Sequence, residues 1–306
     1  MTLLTPEQVL TLIQTGRSLR EEELSGLMLP KAEIHRADFE RAYLRQANLS
    51  KSKGEHVNFK DATLVYANLS ESILSQAMLS GAQMNMVNLT QAQLNRAIAE
   101  GTTLYGANIS QTNFSEAILT QTELSEAQGD HPNFRKAMLQ KATLSDVHLP
   151  GAIFSQAQIL DSKLNHAQLP KAQFDDSVIQ RSQFNETDLT DSWFEHADCV
   201  GSNFNQANFT GTTIKNSFFD HAMLRSTTFA GATIQDTSFY GAQMDGVDFR
   251  GVTLSNIDFR DAILEHANIE GVDFSSCNLE GAVFTDASGC SPEQRPQLLK
   301  LGALNI

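Results

Sequence analysis

The sequence predicts an all-β solenoid, because two sets of residues repeat along it with the same five-residue period. Leu, Ile, Phe or Met occupies every fifth position from Leu24 to Phe284, a run of 53 positions with four exceptions. Two residues before each of these, from Ala32 to Ala282, stands Ala, Ser, Thr, Val or Cys. The exceptions in the first set are Gly54, Ala99, Gly129 and Cys199, and those in the second are Pro132 and Ile257.

A period of five fits neither a straight helix nor a flat strand. On an α-helix five residues advance by about 500°, so the large residues would spiral around the axis. On a strand an odd period would send successive large residues to opposite faces. The pattern is satisfied if the backbone turns a corner once per repeat. With the large residue at position i, positions i and i−2 then point inward, and i−1, i+1 and i+2 face water.

Four such sides would close a coil of 20 residues, and the phenylalanines support this spacing. Small residues at i−2 leave room for large ones at i, as a dense narrow core requires. Three runs of phenylalanine at intervals of 20 predict stacks through successive coils: Phe114, Phe134, Phe154, Phe174 and Phe194; Phe209, Phe229 and Phe249; and Phe219, Phe239 and Phe259.

The repeats carry a motif that resembles the A(D/N)LXX consensus of the pentapeptide repeat family. Examples are Ala37-Asp38-Phe39, Ala47-Asn48-Leu49, Ala67-Asn68-Leu69, Ala107-Asn108-Ile109, Ala207-Asn208-Phe209 and Ala267-Asn268-Ile269. The resemblance implies a right-handed quadrilateral β-helix over residues 24–288. At about 4.8 Å per coil, about 13 coils would give a rod about 60 Å long.

Short helices are predicted to cap both open ends of the solenoid. Thr5 and Gln8 form a capping-box pattern around Pro6, and Gly16 ends the segment. Ser291 and Gln294 repeat that pattern near the C-terminus. We therefore expect a cap at 1–23, the β-helix at 24–288 and a cap at 289–306, in one structural domain. The C-terminal segment is either a plug or, as in some members of the family it resembles, a dimerisation element.

Charge and cysteine usage limit the partners and the compartment. The net charge is −14, and residues 145–306 hold 9 basic against 21 acidic side chains, which disfavours nonspecific binding to nucleic acid or to an anionic membrane. Cys199 and Cys277 fall at inward positions without disulfide or metal-ligand spacing, which indicates a reducing compartment. With neither a signal peptide nor a membrane span in the sequence, a cytoplasmic location is expected.

No recognisable catalytic or cofactor motif occurs in the sequence. The eight histidines are scattered, mostly at outward positions, and carboxylate pairs such as Asp175-Asp176 lie on a convex surface where pKa shifts are small. We therefore expect no catalytic residues, no cofactor and no metal, and predict that the protein is not an enzyme.

One outward column departs from the consensus and is the candidate interface. Its i−1 positions hold Met78, Ile98, Ile118, Met138, Gln158, Val178, Asp198 and Phe218, whereas the neighbouring side holds Asn48, Asn68, Asn88 and Asn108. Contiguous apolar surface usually marks an interface. The predicted interface residues are Met78, Ile98, Ile118, Met138, Val178 and Phe218. The alternative is that these side chains lie flat along the wall. A second group, Val65, Tyr66, Met86 and Tyr105, is predicted on the next side.

These features favour a non-catalytic scaffold or regulator that docks a protein partner, or a second copy of the chain, on one face. Pentapeptide repeat proteins are abundant in cyanobacteria, and some bind regulatory proteins. The alternative, also implied by the resemblance, is a DNA mimic that binds DNA gyrase or topoisomerase IV. The acidic residues form no continuous column, which disfavours mimicry. A spacer within a larger assembly is a third possibility. Gly54, Ala99 and Gly129 mark either degenerate repeats or a functional kink.

Overall fold

A computed structural model describes residues 4–306, and the chain divides into two compact units, Met1–Gln158 and Ile159–Ile306. The described elements are α1 (Pro6–Gln14), β1 (Trp193–Glu195), β2 (Thr213–Lys215), β3 (Thr233–Gln235), β4 (Thr253–Ser255) and α2 (Gln294–Lys300). The four strands form one parallel sheet in the order β1-β2-β3-β4, and each residue pairs with the residue 20 positions later.

Parallel pairing at the same 20-residue interval builds the rest of each unit. In unit 1 the four sides of one coil are represented by the pairs Tyr43↔Thr63, Asn48↔Asn68, Lys53↔Ile73 and Asn58↔Met78. Lys163↔Gln183 and Asp188↔Asn208 continue this pattern in unit 2. The predicted right-handed quadrilateral β-helix with short terminal helices is thus confirmed. The number of coils and the domain boundaries stay predictions.

The corners of the coils are tight turns that use the left-handed backbone region, with the exception of the corner at Ser276. At the corner after Ile34, for example, the Ala37 amide donates to the Ile34 carbonyl at 3.1 Å, and Arg36 has φ of 56°. A positive φ at the second central residue is the signature of a type II turn. Residues other than glycine pay roughly 1 kcal/mol or more for this conformation, so the packing of the core must exceed that repeated cost.

The core consists of the i and i−2 side chains, as predicted. Phenylalanines of successive coils stack within each unit, and the ring centroids of Phe114 and Phe134 are 5.2 Å apart in unit 1. Other stacked pairs are Phe134–Phe154 at 5.0 Å, Phe174–Phe194 at 4.7 Å, Phe209–Phe229 at 5.0 Å and Phe219–Phe239 at 5.2 Å. Offset stacking adds to the burial of these rings and helps to set the register of successive coils.

The N-terminal helix has the predicted capping box. The Gln8 amide donates to Thr5 Oγ1 at 3.3 Å, and the Thr5 amide donates to Gln8 Oε1 at 2.8 Å. The helix α1 ends before Gly16, whose φ is 67°. Residues 1–3 of the predicted cap lie outside the described residues.

The C-terminal helix begins two residues later than the Ser291-Pro292 signature suggests. Ser291 and Gln294 exchange the expected pair of hydrogen bonds, at 3.2 and 3.3 Å, but helical geometry begins only at Gln294. Apolar cover comes from Leu298, which is buried, whereas Leu299 and Leu304 are about half exposed. After α2 the chain rejoins the ladder, where Leu304 pairs with Val283.

The degenerate positions of unit 1 leave its hydrogen-bond ladder intact. The amides of Gly54, Ala99 and Gly129 donate to the next coil at 2.7, 2.8 and 3.0 Å. At Gly54 the side chains of Ile34 and Leu74 close in on the vacant space, within 3.0 Å of where a Cβ would stand. These geometries fit degenerate repeats whose neighbours have repacked.

Candidate interaction surface

Four apolar residues stack on one side of unit 1 and form a column that we call the apolar ladder: Met78, Ile98, Ile118 and Met138. Each pairs with the next in parallel register, and Gln158 occupies the following position. Met78, Ile98 and Met138 are exposed, Met78 and Ile98 by 42%, and Ile118 is half-buried. The side chains therefore face solvent, and they form an uninterrupted column through four successive coils.

Position i−1 ordinarily has a structural task, which the neighbouring side makes visible. The Oδ1 atoms of Asn48, Asn68 and Asn88 each accept a hydrogen bond at 3.0 Å from the backbone amide two residues later. Such a side-chain acceptor satisfies a turn amide that the backbone hydrogen bonds between coils leave free. This explains why Asn and Asp recur at i−1.

The apolar ladder gives up this hydrogen bond on four consecutive coils. Met and Ile offer no comparable acceptor, and within residues 4–306 no protein group accepts from the amides of Ser80, Glu100, Thr120 and Gln140. Glu100 is exposed and Ser80, Thr120 and Gln140 are half-buried, so these turns are open to solvent and we expect each substitution to cost about 1 kcal/mol or less. A repeated small cost without a benefit to the core points to a benefit at the surface.

Polar groups border the apolar ladder on both sides. On one side Arg96 Nε donates to Glu116 Oε2 at 2.9 Å; this hydrogen bond raises the pKa of Arg96 and lowers that of Glu116. On the other side Thr120 Oγ1 donates to Gln140 Oε1 at 3.3 Å. An apolar centre with a polar rim is the usual anatomy of a protein interface.

The predicted interface residues of unit 2 do not form a continuous run. Val178 is half-buried and Phe218 is 52% exposed, but Asp198 pairs with both and lies between them. Its carboxylate accepts a hydrogen bond from Gln180 Nε2 at 2.7 Å. The structure thus unites four of the six predicted residues in one column of unit 1 and leaves the other two separated by a charge.

The second predicted apolar group is present in unit 1. Tyr66, Met86 and Tyr105 are exposed, and Val65 is half-buried. Met86 lies over Gly106 of the next coil, where its Sδ is 2.5 Å from the position a Cβ would take. Two further aromatic residues at i−1 positions, Tyr43 and Trp193, are exposed and belong to neither predicted group. A search for aromatic residues at every i−1 position, rather than for contiguous columns, would have found both.

Other chemistry is sparse across residues 4–306. They contain no group of His, Cys, Asp and Glu side chains placed to hold a metal ion. The three cysteines are free thiols; burial raises the pKa of Cys199 strongly and that of Cys277 to about 11. Neither described helix has the length and apolar composition that crossing a membrane requires.

The repeat pattern matches one known family through most of the chain. The family model described as pentapeptide repeats matches eight times, at residues 37–76, 55–91, 82–125, 107–146, 152–191, 193–225, 219–251 and 242–281. No curated protein sequence matches the chain.

Several solved structures are similar to the chain in part. HetL, a pentapeptide repeat protein involved in heterocyst differentiation regulation in the cyanobacterium Nostoc sp. strain PCC 7120, is 22% identical over 86% of this chain and 96% of that chain, with a TM-score of 0.30. A pentapeptide repeat protein of the Arabidopsis thaliana thylakoid lumen is 38% identical over 33% of this chain and 68% of that chain, with a TM-score of 0.28.

QnrB1, a plasmid-mediated fluoroquinolone resistance protein, is 18% identical over 70% of this chain and 95% of that chain, with a TM-score of 0.32. None of these TM-scores indicates a close overlay, so the family assignment rests on the eight repeat matches.

Proposed function

Because this chain belongs to the pentapeptide repeat family, we propose that it is a non-catalytic scaffold that docks a protein partner on the apolar ladder of unit 1. Proteins of this family are generally structural or interaction proteins rather than enzymes. The apolar ladder is the observation that carries the proposal.

Two properties of the apolar ladder support a docking role. It is contiguous, and contiguous apolar surface on a folded domain is costly unless another molecule covers it. It also occupies positions where Asn would stabilise the turn, as Asn88 does one side away through Thr90. Selection for stability alone would favour Asn there, so binding is the simplest reason for Met and Ile.

DNA mimicry is the less favoured function. A B-DNA-like surface needs closely and regularly spaced negative charges, about one per 1.7 Å of axis. In unit 2 the column Asp188, Asn208, Thr228 and Asp248 has two neutral residues between its two carboxylates. Arg250 Nη2 also donates to Asp248 Oδ2 at 2.8 Å, which neutralises one of the two carboxylates. Binding to a topoisomerase is therefore retained only as an outcome of the test below.

The test compares the wild-type protein with an Ile98→Asp/Ile118→Asp double variant in affinity capture from the soluble lysate of the native host. A matched control carries the same added charge on the neighbouring side, Asn88→Asp/Asn108→Asp, where aspartate can keep the turn hydrogen bond. Circular dichroism and thermal unfolding establish that all three proteins are folded.

We expect one partner that is retained by the wild type and the control and lost by the ladder variant. The partner should be retained in 0.5 M KCl, because salt does not screen apolar contacts. At that ionic strength the attraction between exposed charges farther apart than a few Å is almost completely screened. Equal capture by all three proteins would contradict the proposal. Capture of topoisomerase subunits with steep loss in salt would favour mimicry. A second copy of this chain as the sole partner would make the apolar ladder a dimer interface.

A further inference from the structure

A groove opens on unit 2, lined by Asp, Asn, Ser and Thr side chains together with Phe218, Ile257 and Cys277. Its volume is about 570 Å³. The side chains that carry the argument are Phe218, Asp236, Ser238, Asn256, Asp258 and Ser276. Ligand sites favour concave surface, which is scarce on the outside of a coil whose outward residues all project into solvent.

The groove lies beside an interruption of the β-ladder. The sheet ends at β4, and no backbone hydrogen bond among the described residues joins β4 to residues 273–275, although β1, β2 and β3 each pair with the next coil. The Asp236 amide donates to the Ser255 carbonyl at 2.9 Å, but one coil later the Asn256 amide donates to Ser276 Oγ at 3.3 Å. Ser276 also lacks the left-handed φ that Asp236 and Asn256 have.

The burial of the core side chains shows the same opening. Leu254 of β4 is only half-buried, whereas Ile214 and Ile234 in the same column are fully buried. Ile257, the one large residue at an i−2 position in unit 2, lies in the coil next to the gap and lines the groove. The wall is therefore parted at this place, and the parted corner forms one side of the groove.

The groove holds one carboxylate that lacks a basic partner. Asp258 is neutralised by Arg260, whose Nη2 donates to Asp258 Oδ2 at 2.7 Å. Asp236 instead accepts from Asn256 Nδ2 at 2.7 Å and from Gln235 Nε2 at 2.8 Å, and it makes no ion pair with any residue between 4 and 306. These bonds, that from Asn256 first, lower the pKa of Asp236, so the carboxylate is ionised and held in a fixed orientation.

The groove also offers an aromatic face and an anionic surrounding. Phe218 is 52% exposed and stands at the groove beside Ser238, whose hydroxyl is held by the Asp220 carboxylate. Residues 159–306 carry 9 Lys and Arg against 20 Asp and Glu, a net charge of −11. An anionic ligand would be repelled, whereas a planar cation is suited to a groove lined by both a fixed carboxylate and an exposed aromatic ring.

We propose that this groove binds the guanidinium group of an arginine side chain presented by a protein partner. A guanidinium donates two parallel hydrogen bonds to one carboxylate and stacks on an aromatic face, which an ammonium group cannot do. Asp236 would accept the fork, and Phe218 would supply the face. The proposal rests on the proposed function only in taking the ligand from a protein; the groove and the apolar ladder are tested by different variants.

The experiment is a titration of the full chain with N-acetyl-arginine amide, followed by amide chemical shifts in NMR spectra. N-acetyl-citrulline amide is the neutral isostere, N-acetyl-lysine amide the non-planar cation and maltose the neutral polyol. Asp236→Asn and Phe218→Ala remove the two proposed contacts. Asp261→Asn makes the same charge change at a carboxylate outside the groove.

We expect saturable shifts at residues lining the groove with the arginine probe, and affinity at least about tenfold weaker in Asp236→Asn, the loss typical of a charge-assisted contact. Phe218→Ala should weaken binding by a smaller factor, and Asp261→Asn should bind like the wild type. Equal shifts with the citrulline probe, unchanged binding by Asp236→Asn, preferential binding of maltose, or no saturable shifts would each overturn the proposal. The integrity of the apolar ladder affects none of these readouts.

Discussion

At single positions, the fold depends on backbone geometry that only certain residues can adopt. Gly129 stands where the five-residue register calls for a large side chain, and its φ is 152°. A Cβ there would lie 2.3 Å from the Ser110 nitrogen and 2.7 Å from the Ile109 carbonyl carbon. Backbone atoms cannot move aside as a flexible side chain can, so glycine is required here by close approach as well as by conformation.

Gly129→Ala should therefore destabilise the protein by about 3 kcal/mol or more, because steric overlap adds to the conformational strain. Gly101→Ala is the matched control: its φ is 65°, but a Cβ at this site would meet no atom within 4 Å. The control should lose only about 1 kcal/mol, the cost of the left-handed region for alanine. Guanidinium-induced unfolding followed by circular dichroism measures both, and equal losses would show that close approach is unimportant at Gly129.

A histidine in unit 2 should titrate above its ordinary range. His266 Nδ1 lies 2.8 Å from Asp245 Oδ1, and this hydrogen bond, ahead of the attraction of Asp245 and Asp286, raises the pKa of His266 above 6.5. A folded-state pKa above the unfolded value means that the protonated form is favoured by folding. The stabilisation is fully present below about pH 6.5, the unfolded value, and is lost as the pH rises through the folded pKa.

The imidazole C2 proton in NMR spectra reports this pKa directly. Asp245→Asn should bring it back toward 6.5, because the asparagine keeps the size of the side chain and removes its charge. His148→Asn would identify another histidine resonance without touching the His266 contacts. A His266 pKa at or below the ordinary value in the wild type would refute the prediction.

At the scale of one repeat, the apolar residues of the ladder favour binding and lower the stability of the turn. Ile98→Asn should let the new side chain accept from the Glu100 amide, as Asn88 accepts from Thr90 at 3.0 Å. We expect the variant to be as stable as the wild type or up to about 1 kcal/mol more stable, while losing the captured partner. Asn88→Ile, the reverse exchange on the neighbouring side, should destabilise by a similar amount and keep the partner. Thermal unfolding and capture measure the two effects, and a destabilised Ile98→Asn variant would show that the ladder serves the fold instead.

The periodic packing of the coils could be predicted from the sequence, whereas the interruption of that packing next to β4 could not. Phe209, Phe229 and Phe249 stack because the register alone places them in one column. The large residues at position i continue without exception through residues 253–275, yet β4 makes no backbone hydrogen bond to residues 273–275 of the next coil. The five-residue period determines which side chains face inward. The separation of two coils depends instead on local packing around residues such as Ile257. The five-residue period therefore did not predict the groove, although Ile257 is an exception to the small residues at i−2.

Across the whole chain, charge is distributed unevenly, and this affects stability through repulsion. Residues 1–158 hold 13 basic and 16 acidic side chains, a net of −3, whereas residues 159–306 have a net charge of −11. Some carboxylates of unit 2 are paired, as Asp248 with Arg250 and Asp161 with Arg181. Nine basic side chains cannot balance twenty acidic ones, and a net charge far from zero destabilises a compact state by self-repulsion.

Modest salt should therefore stabilise the protein. Raising KCl from about 10 mM to about 150 mM shortens the screening length from about 30 Å to about 8 Å, which reduces repulsion between carboxylates on different coils while leaving direct ion pairs less affected. We expect the thermal midpoint to rise by a few degrees, as a change of about 1 kcal/mol produces in a domain of this size. Sucrose at matched osmolality separates screening from general exclusion effects.

Substituting lysine for two exposed acids of unit 2, in an Asp261→Lys/Asp286→Lys variant, should raise the midpoint at low salt and reduce its response to KCl. A midpoint that falls with KCl in the wild type would mean that attractive pairs dominate, and that the acidic excess has no net cost to the fold.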